Sequence, residues 1–332
     1  MSNYIAFDLG GTLTKPEHTR DLLQLVPDGG KIFETIGRYD ELLIKAKTPG
    51  YETGDGPIRL LIILFLLGGV SEADITRAAG ERNLTTGALD FVAGLLTDGW
   101  RIFCIANAYE PYTIHITHKF GIYAHNVAAT PLSLDSLRAT LTEKDITLFK
   151  RLRENILALS LADEAKLKQT LDEFFEKDLS TTAIGKSIQQ TRPVSGSRKT
   201  EALKRFSEKY QEPLSKWVVV GNNTTDANML AEVDHEGGLV VAFNADREAL
   251  SHATVSLAST NLIDLRDILM AWKKGLRKET KWIVQEREKR GGVGDRAHFH
   301  WLAERDRTHI DDIVELHYQI RQTVEQSTHN PI

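Results

Sequence analysis

The apolar and polar residues of the chain alternate between short apolar runs and longer amphipathic stretches. Four runs are apolar apart from Arg101, namely residues 4–7 (YIAF), 101–105 (RIFCI), 217–220 (WVVV) and 239–243 (LVVAF). Such runs are typical of strands buried on both faces of a parallel sheet. Between these runs apolar residues recur at helical spacing, as in residues 198–210. Strands that alternate with helices in this way predict an α/β fold with a Rossmann-like, doubly wound parallel sheet.

The distances between the predicted strands divide the chain into a core and insertions. Residues 16–97, between the first two strands, have a helical pattern and are too many for a simple crossover. We therefore expect a helical cap there, inserted into a core of residues 1–15 and 98–262. Residues 132–190 are again helical and charged, and they predict a second helical insertion within the core. Residues 263–332 predict a charged helical tail.

Composition limits the class of function. The chain has 332 residues, of which 41 are basic and 46 acidic, with a net charge of −5. This balance argues against a protein that binds nucleic acid or is attracted to anionic membranes. The only cysteine, Cys104, excludes an internal disulfide and a cysteine-based metal cluster. The chain opens without a leader pattern, and its most apolar run, residues 60–67, is too short to span a bilayer, so we expect a cytoplasmic protein without membrane insertion.

The first strand ends in a candidate phosphate site. Asp8 follows the apolar run at the carboxyl edge of the predicted sheet, where open α/β sheets bind their ligands. Gly10 and Gly11 leave backbone N–H groups able to approach an anion, and Thr12 adds a hydroxyl. Two chemistries use such a segment, namely phosphoryl transfer to an aspartate and nucleotide binding in actin-like kinases. The kinase interpretation is disfavoured because residues 15–17 open a helix and not the second strand of a hairpin.

Polar residues also follow the later strands. Ala106 and Asn107 follow the second apolar run, Lys199 begins an amphipathic helix, and the turn 221–226 (GNNTTD) follows WVVV. The carboxyl ends of parallel strands meet at one edge of a sheet. We therefore expect six residues to converge at that edge, namely Asp8, Ala106, Asn107, Lys199, Asn222 and Asp226.

In order and spacing, these segments resemble the four motifs of the haloacid dehalogenase superfamily, most of whose members are phosphatases. Residues 8–13 (DLGGTL) are similar to the first motif, and Ala106-Asn107 occupies the place of the second. Lys199 corresponds to the third motif and residues 221–226 to the fourth. The end of the core resembles the phosphoserine-phosphatase-like branch. The resemblance therefore implies a small phosphorylated substrate.

The resemblance also implies roles for these residues. Asp8 would attack phosphorus and form an aspartyl-phosphate, with Lys199 beside it as the second catalytic residue. The implied phosphate-binding residues are Gly10, Gly11, Thr12, Ala106, Asn107 and Asn223. The implied ligands of a Mg²⁺ cofactor are Asp8, the Gly10 carbonyl and Asn222, with Asp226 behind them.

The chain departs from the phosphatase pattern at three of these positions. Gly10 stands where the superfamily has a second Asp, the general acid and base, whose proton transfer is commonly worth about 10²–10⁴-fold. Asn222 replaces a charged metal ligand, which lowers the expected affinity for Mg²⁺. Ala106 replaces the hydroxyl residue that holds the phosphoryl group, with Asn107 beside it as a substitute donor. We therefore expect weak or altered activity, with Mg²⁺ bound weakly or not at all.

Two alternatives stay open. Metal-free dehalogenases of the same superfamily also lack the second Asp, and Asn107 together with the pair Asn223 and Asp226 fits their pattern. In that chemistry Asp8 would displace halide from carbon. The other alternative is a fold retained, with Asp8 and Lys199, for binding a phosphorylated ligand or a protein without catalysis. A protein partner or a second copy of the chain would then bind through the C-terminal helices.

The first insertion and the tail resemble a narrower family. Residues 26–43 (VPDGGKIFETIGRYDELL), 48–56 (TPGYETGDG) and 315–324 (ELHYQIRQTV) are similar to segments of a mostly archaeal, phosphoserine-phosphatase-like family. Some members of that family are linked to an energy-converting hydrogenase. This resemblance covers nearly the whole chain and implies the same arrangement of core, cap and tail.

Overall fold

One seven-stranded sheet forms the centre of the part of the chain that the structure describes. The structure is a computed structural model, and it describes residues 3–15, 22–80, 84–290, 297–306 and 309–326. The strands are β1 (Asn3–Phe7), β2 (Trp100–Tyr109), β3 (Val127–Thr130), β4 (Trp217–Gly221), β5 (Leu239–Phe243), β6 (Val255–Ser259) and β7 (Ala297–Trp301). Their order across the sheet is β3-β2-β1-β4-β5-β6-β7.

Neighbouring strands are parallel except at one edge of the sheet. The first strand lies in the middle, where Phe7 is in register with Cys104 of β2 and with Val220 of β4. β7 pairs antiparallel with β6. Every residue of β4, β5 and β6 is buried, as expected for strands that helices cover on both faces. The predicted α/β fold with a Rossmann-like parallel sheet is confirmed.

Two strands, β3 and β7, are not evident from the apolar pattern. β3 has only four residues, three of them half-buried. In β7 buried residues alternate with His298 and His300, so the strand produces no continuous apolar run. The predicted charged helical tail does contain two long helices, but β7 lies between them and extends the sheet, which the prediction did not include.

Helices cover the sheet and form the insertions. No helix among the described residues combines the length and the apolar character that crossing a membrane requires. The α-helices are α1 (Gly29–Lys45), α2 (Asp55–Gly68), α3 (Glu72–Ala78), α4 (Ala88–Thr97), α5 (Glu110–Lys119), α6 (Leu134–Ala139), α7 (Glu143–Ala158), α8 (Glu164–Asp172), α9 (Ala183–Gln190), α10 (Ser197–Tyr210), α11 (Ala227–His235), α12 (Arg247–His252), α13 (Leu265–Lys289) and α14 (Asp311–Gln326).

The helices of the two insertions pack against each other. Helix α1 contacts α7 and α8, and α2 contacts α6, α7 and α9. The Tyr39 hydroxyl donates a hydrogen bond to Asp172 Oδ1 at 2.9 Å across this boundary. The predicted ranges 16–97 and 132–190 stay predictions as domain limits, and residues 16–21 and 81–83 lie outside the described residues. Segments far apart in sequence thus form one helical layer.

Candidate active site

Three charged residues meet at the carboxyl edge of the sheet. Asp8 follows β1, Lys199 lies in the first turn of α10, and Asp226 ends the 3₁₀ turn after β4. The Lys199 ammonium donates to Asp8 Oδ1 and to Asp226 Oδ1, both at 2.6 Å. Lys199 and Asp226 are fully buried, and Asp8 is 3% exposed. This charged cluster of Asp8, Lys199 and Asp226 therefore holds two carboxylates and one ammonium away from water.

The charged cluster changes two pKa values. Burial, and after it the Asp226 carboxylate, raises the pKa of Asp8 to about 7, although Lys199 and the Leu9 N–H act in the opposite direction. Burial lowers the pKa of Lys199, but the carboxylates of Asp226 and Asp8 outweigh it, so that this pKa lies above its ordinary value. At neutral pH Lys199 is charged, whereas Asp8 is divided between its protonated and ionised forms.

The turn after β4 is held by its own side chains. Asp226 Oδ2 accepts hydrogen bonds from the N–H groups of Asn222 at 2.8 Å and Asn223 at 3.3 Å. Asn223 Oδ1 accepts from the Thr225 N–H at 2.8 Å and from its hydroxyl at 2.6 Å. Gly221 allows this close packing, since a Cβ there would lie 2.8 Å from the Asp226 carboxyl carbon. These contacts fix the backbone of the turn and the orientation of the Asn223 side chain.

A series of amide hydrogen bonds runs from this turn to the first motif. Asn223 Nδ2 donates to Asn222 Oδ1 at 2.5 Å, and Asn222 Nδ2 donates to the Gly10 carbonyl at 2.6 Å. The Thr225 N–H requires the oxygen of the Asn223 amide as its acceptor, so the NH₂ group of Asn223 faces Asn222. Asn222 must then present its oxygen to Asn223 and its NH₂ group to the Gly10 carbonyl. At Gly11, where φ is +80°, a Cβ would lie 1.8 Å from Asn222 Nδ2, so the contact requires glycine there.

These contacts do not suit a magnesium ion. Mg²⁺ demands a near-octahedral set of oxygen donors and is usually bound by carboxylates. Here the Gly10 carbonyl and Asn222 Oδ1 both accept hydrogen bonds from protein amides, and Asp8 is paired with Lys199. No group of three or more His, Cys, Asp or Glu side chains among the described residues could hold a metal ion. Of the three predicted ligands, the Gly10 carbonyl and Asn222 are bonded to each other, and Asp8 is bonded to Lys199.

Two N–H groups of the first motif are engaged within its own turn. The Gly11 N–H donates to the Thr14 carbonyl at 2.7 Å, and the Thr12 N–H donates to the Leu9 carbonyl at 3.3 Å. The Thr12 side chain is fully buried. The Gly11 N–H therefore closes the turn and does not face a ligand in this structure. The Thr12 hydroxyl, which was the group expected at the anion, is buried and has no hydrogen-bond partner among the described residues, so its role stays a prediction.

The second motif lies where residues 50–55, the cap loop of the predicted helical cap, contact the core. Gly54, with φ +91°, comes so near that an ideal Cβ there would lie 3.3 Å from Asn107 Nδ2. The Asn107 carbonyl accepts a hydrogen bond from the Thr130 hydroxyl at 2.7 Å. Ala106 is buried and offers no polar side chain. Asn107 is therefore the polar side chain that this motif contributes beside the cap loop.

A buried ion pair joins the cap loop to the helix of Lys199. Arg198 Nη1 donates to Asp55 Oδ1 at 2.5 Å, and Nη2 donates to Asp55 Oδ2 at 2.9 Å. Both residues are buried. Beside them the Ser197 hydroxyl donates to the Glu52 carboxylate. Residues 50–55 thus close against the candidate site.

Sequence reasoning missed Asp55 and Arg198, although a signal was present. The first turn of α10 contains two basic residues, Arg198 and Lys199, and no acidic residue. Positive side chains are unfavourable at a helix N-terminus, where the helix dipole is positive. Such a start therefore indicates that carboxylates from elsewhere in the chain lie against it, as Asp55, Asp8 and Asp226 do.

Comparison with known proteins agrees with this geometry. Residues 103–264 match the family model of the haloacid dehalogenase-like hydrolases. This part of the chain is thus similar to the haloacid dehalogenase-like hydrolases. The predicted resemblance to this superfamily is confirmed over these residues. The phosphoserine-phosphatase-like branch and the link to a hydrogenase stay predictions. A search of the curated proteins finds no match.

Solved structures share this haloacid dehalogenase-like fold. A gene product of Archaeoglobus fulgidus superposes with a TM-score of 0.82 at 19% identity, covering 98% of this chain and 97% of that chain. A substrate-bound phosphoserine phosphatase has a TM-score of 0.51, and a phospho-aspartyl intermediate analogue of phosphoserine phosphatase has 0.50. Both are 14% identical and cover 80% of this chain and 98% of their own. At these identities the likeness shows the fold.

Proposed function

We propose that the protein is a hydrolase of the phosphatase type that acts on a small phosphorylated molecule through an aspartyl-phosphate on Asp8. The contact of Lys199 with both Asp8 and Asp226 carries this proposal. An anionic nucleophile must approach an anionic phosphoryl group, and the ammonium reduces the repulsion between them. Asp226 keeps the ammonium directed at Asp8. The fold shared with phosphoserine phosphatase supports the same class of reaction.

The proposed reaction begins with the ionised form of Asp8. The carboxylate oxygen that is not bonded to Lys199 attacks phosphorus, and the bond from phosphorus to the leaving oxygen breaks. Gly10 has no side chain that could protonate this oxygen. Leaving groups that are stable as anions should therefore react faster than alkoxides. Water then attacks the aspartyl-phosphate, which releases inorganic phosphate and regenerates Asp8.

Turnover and ligand-dependent stability test the proposal. p-Nitrophenyl phosphate should be hydrolysed, because its phenolate leaves without full protonation, and Asp8→Asn should abolish the reaction. Beryllium fluoride with Mg²⁺ mimics an aspartyl-phosphate and should raise the midpoint of thermal unfolding in the wild type but not in Asp8→Ala. At a hundred times the Kd this stabilisation is about 2.7 kcal/mol. If the wild type shows no turnover and also no shift of its unfolding midpoint, the proposal of an aspartyl-phosphate on Asp8 is contradicted.

A binding protein without catalysis is the second candidate. It is favoured by the burial of Asp8, by its pairing with Lys199, and by the missing acid at Gly10. In that case inorganic phosphate, recognised by Asn107 and Lys199, should raise the unfolding midpoint. Beryllium fluoride should then give no shift that depends on Asp8. Asn107→Ala should abolish the rise in unfolding midpoint with phosphate. A rise that persists in this variant would mean that phosphate binds elsewhere on the protein.

A further inference from the structure

Helix α14 contacts the loop of residues 244–246, which lies next to the turn that contains Asn222 in the candidate active site. His317 Nδ1 accepts a hydrogen bond from the Ala245 N–H at 2.8 Å. The Arg321 guanidinium donates to the Asn244 carbonyl through Nε at 3.1 Å and through Nη2 at 2.7 Å. Asn244 and Ala245 directly follow β5, so they lie at the same carboxyl edge of the sheet as Asp8. Two tail residues thus bind consecutive residues of this loop.

The backbone of this loop has a conformation that needs support. Asn244 has φ +47°, which is uncommon for a residue with a side chain. Its amide is bonded on one side to Ser259 of β6, where Nδ2 donates to the carbonyl and Oδ1 accepts from the N–H, both at 2.8 Å. Its carbonyl is bonded on the other side to Arg321. The loop is therefore held between the sheet and α14.

The same loop supports the turn that contains Asn222. The Asp246 N–H donates to the Asn222 carbonyl at 2.8 Å. Asp246 Oδ2 accepts from the Thr224 N–H at 2.9 Å. The Asn222 side chain in turn donates to the Gly10 carbonyl. A continuous set of contacts therefore leads from α14, through residues 244–246, to Asn222 and the first motif.

We infer that His317 and Arg321 are positioning residues for Asn222, and that α14 is a structural component of the candidate site. His317 is fully buried and accepts through Nδ1, and burial lowers its pKa to about 3. The imidazole therefore stays neutral, and Nδ1 remains an acceptor, at any pH near neutrality. The inference rests on the proposed function only where it concerns turnover, because Asn222 holds the Gly10 carbonyl two residues after Asp8. The coupling of α14 to Asn222 is a property of the unliganded fold.

Hydrogen exchange of the full chain, read by mass spectrometry, tests this coupling. His317→Leu removes the acceptor, whereas His317→Asn places an amide oxygen near the position of Nδ1. Ile320→Ala is the matched control, because Ile320 is a buried apolar residue of the same helix. His317→Leu should accelerate exchange in segments 221–226 and 244–248 at least about fivefold, the factor expected for one lost hydrogen bond. His317→Asn should restore protection, and Ile320→Ala should leave segment 221–226 unchanged.

Two results would overturn the inference. One is unchanged exchange at 221–226 in His317→Leu, and the other is the same acceleration in Ile320→Ala, which would mean general loosening of the tail. Arg321→Met gives an independent comparison if His317→Leu does not fold. If the wild type hydrolyses p-nitrophenyl phosphate, His317→Leu should also lower kcat about fivefold with KM unchanged, and His317→Asn should recover it. A wild type without turnover would count against the proposed function, while the exchange data would still decide the coupling.

Discussion

Replacing Asp8 with Asn should stabilise the protein at alkaline pH, because the charged cluster carries one unbalanced negative charge. Asp8 and Asp226 share a single ammonium, that of Lys199. Asp8→Asn leaves one carboxylate opposite this ammonium, and the new amide oxygen can still accept from it. The substitution is nearly isosteric and opens no cavity. Its effect on stability therefore reports the charge of Asp8.

The pKa of Asp8 sets both the pH window and the size of this effect. The ordinary pKa is 3.8, and the folded protein raises it to about 7. A raised pKa means that the stability contributed by protonated Asp8 is complete below pH 3.8 and is lost as the pH rises through about 7. With about 1.36 kcal/mol per pKa unit, the loss between pH 5 and pH 8 is about 3 kcal/mol. Asp8→Asn does not undergo this loss.

Urea unfolding at several pH values between 5 and 8, in the presence of EDTA, measures the effect. Groups that titrate equally in both proteins cancel in the difference between their free energies of unfolding. This difference should increase with pH by about 3 kcal/mol in favour of Asp8→Asn. Glu154→Gln, at an exposed position of α7, is the control and should show no such trend. A difference that stays constant or falls with pH would refute a buried, unbalanced Asp8.

Three further predictions concern the reaction, the metal and the cap loop. The rate of p-nitrophenyl phosphate hydrolysis should rise with pH through about 7, as Asp8 ionises, and a rate that falls over this range would contradict Asp8 as the nucleophile. Asn222→Asp should bind Mg²⁺ more tightly than the natural protein does, as measured by calorimetry. Tight Mg²⁺ binding by the natural protein would contradict the assignment of Asn222 as a hydrogen-bond donor to Gly10. Asp55→Ala leaves Arg198 buried without its carboxylate and should destabilise the fold by about 3–5 kcal/mol in urea unfolding. Asp178→Ala, at the exposed pair with Arg151, should have little effect, and equal losses would contradict the burial of the first pair.

The sheet and the contact between the charged residues at its edge can both be predicted from the sequence, for one physical reason. Strands buried on both faces must be continuously apolar, so their ends are visible in the sequence, and Asp8 stands at one such end. Parallel strands place their carboxyl ends at one edge, which brings Asp8 and Asp226 together there. β7 could not be predicted in this way, because its histidines interrupt the apolar pattern.

The details of hydrogen bonding could not be predicted from the sequence. Asn222 could serve as an oxygen ligand or as an N–H donor, and its orientation depends on the Thr225 N–H, which acts through Asn223. That backbone group is placed by the fold of the whole turn. The N–H group of Gly11 was similarly expected to face a ligand, but it closes the turn onto Thr14. Local sequence specifies which groups are available, and tertiary structure decides what they bind.

The substitutions at positions 10 and 222 act together when the charges of the site are considered. A site with aspartate at both positions would hold four carboxylates and the Lys199 ammonium, a net charge of −3 that one Mg²⁺ ion would reduce to −1. The present site has two carboxylates and the same ammonium, so with Asp8 ionised it reaches a net charge of −1 without a metal. In place of the ion, Asn222 donates a hydrogen bond to the Gly10 carbonyl. Loss of the general acid and loss of the charged ligand therefore leave the same net charge that the metal-bound site would have, and restoring one carboxylate alone should create a need for a cation.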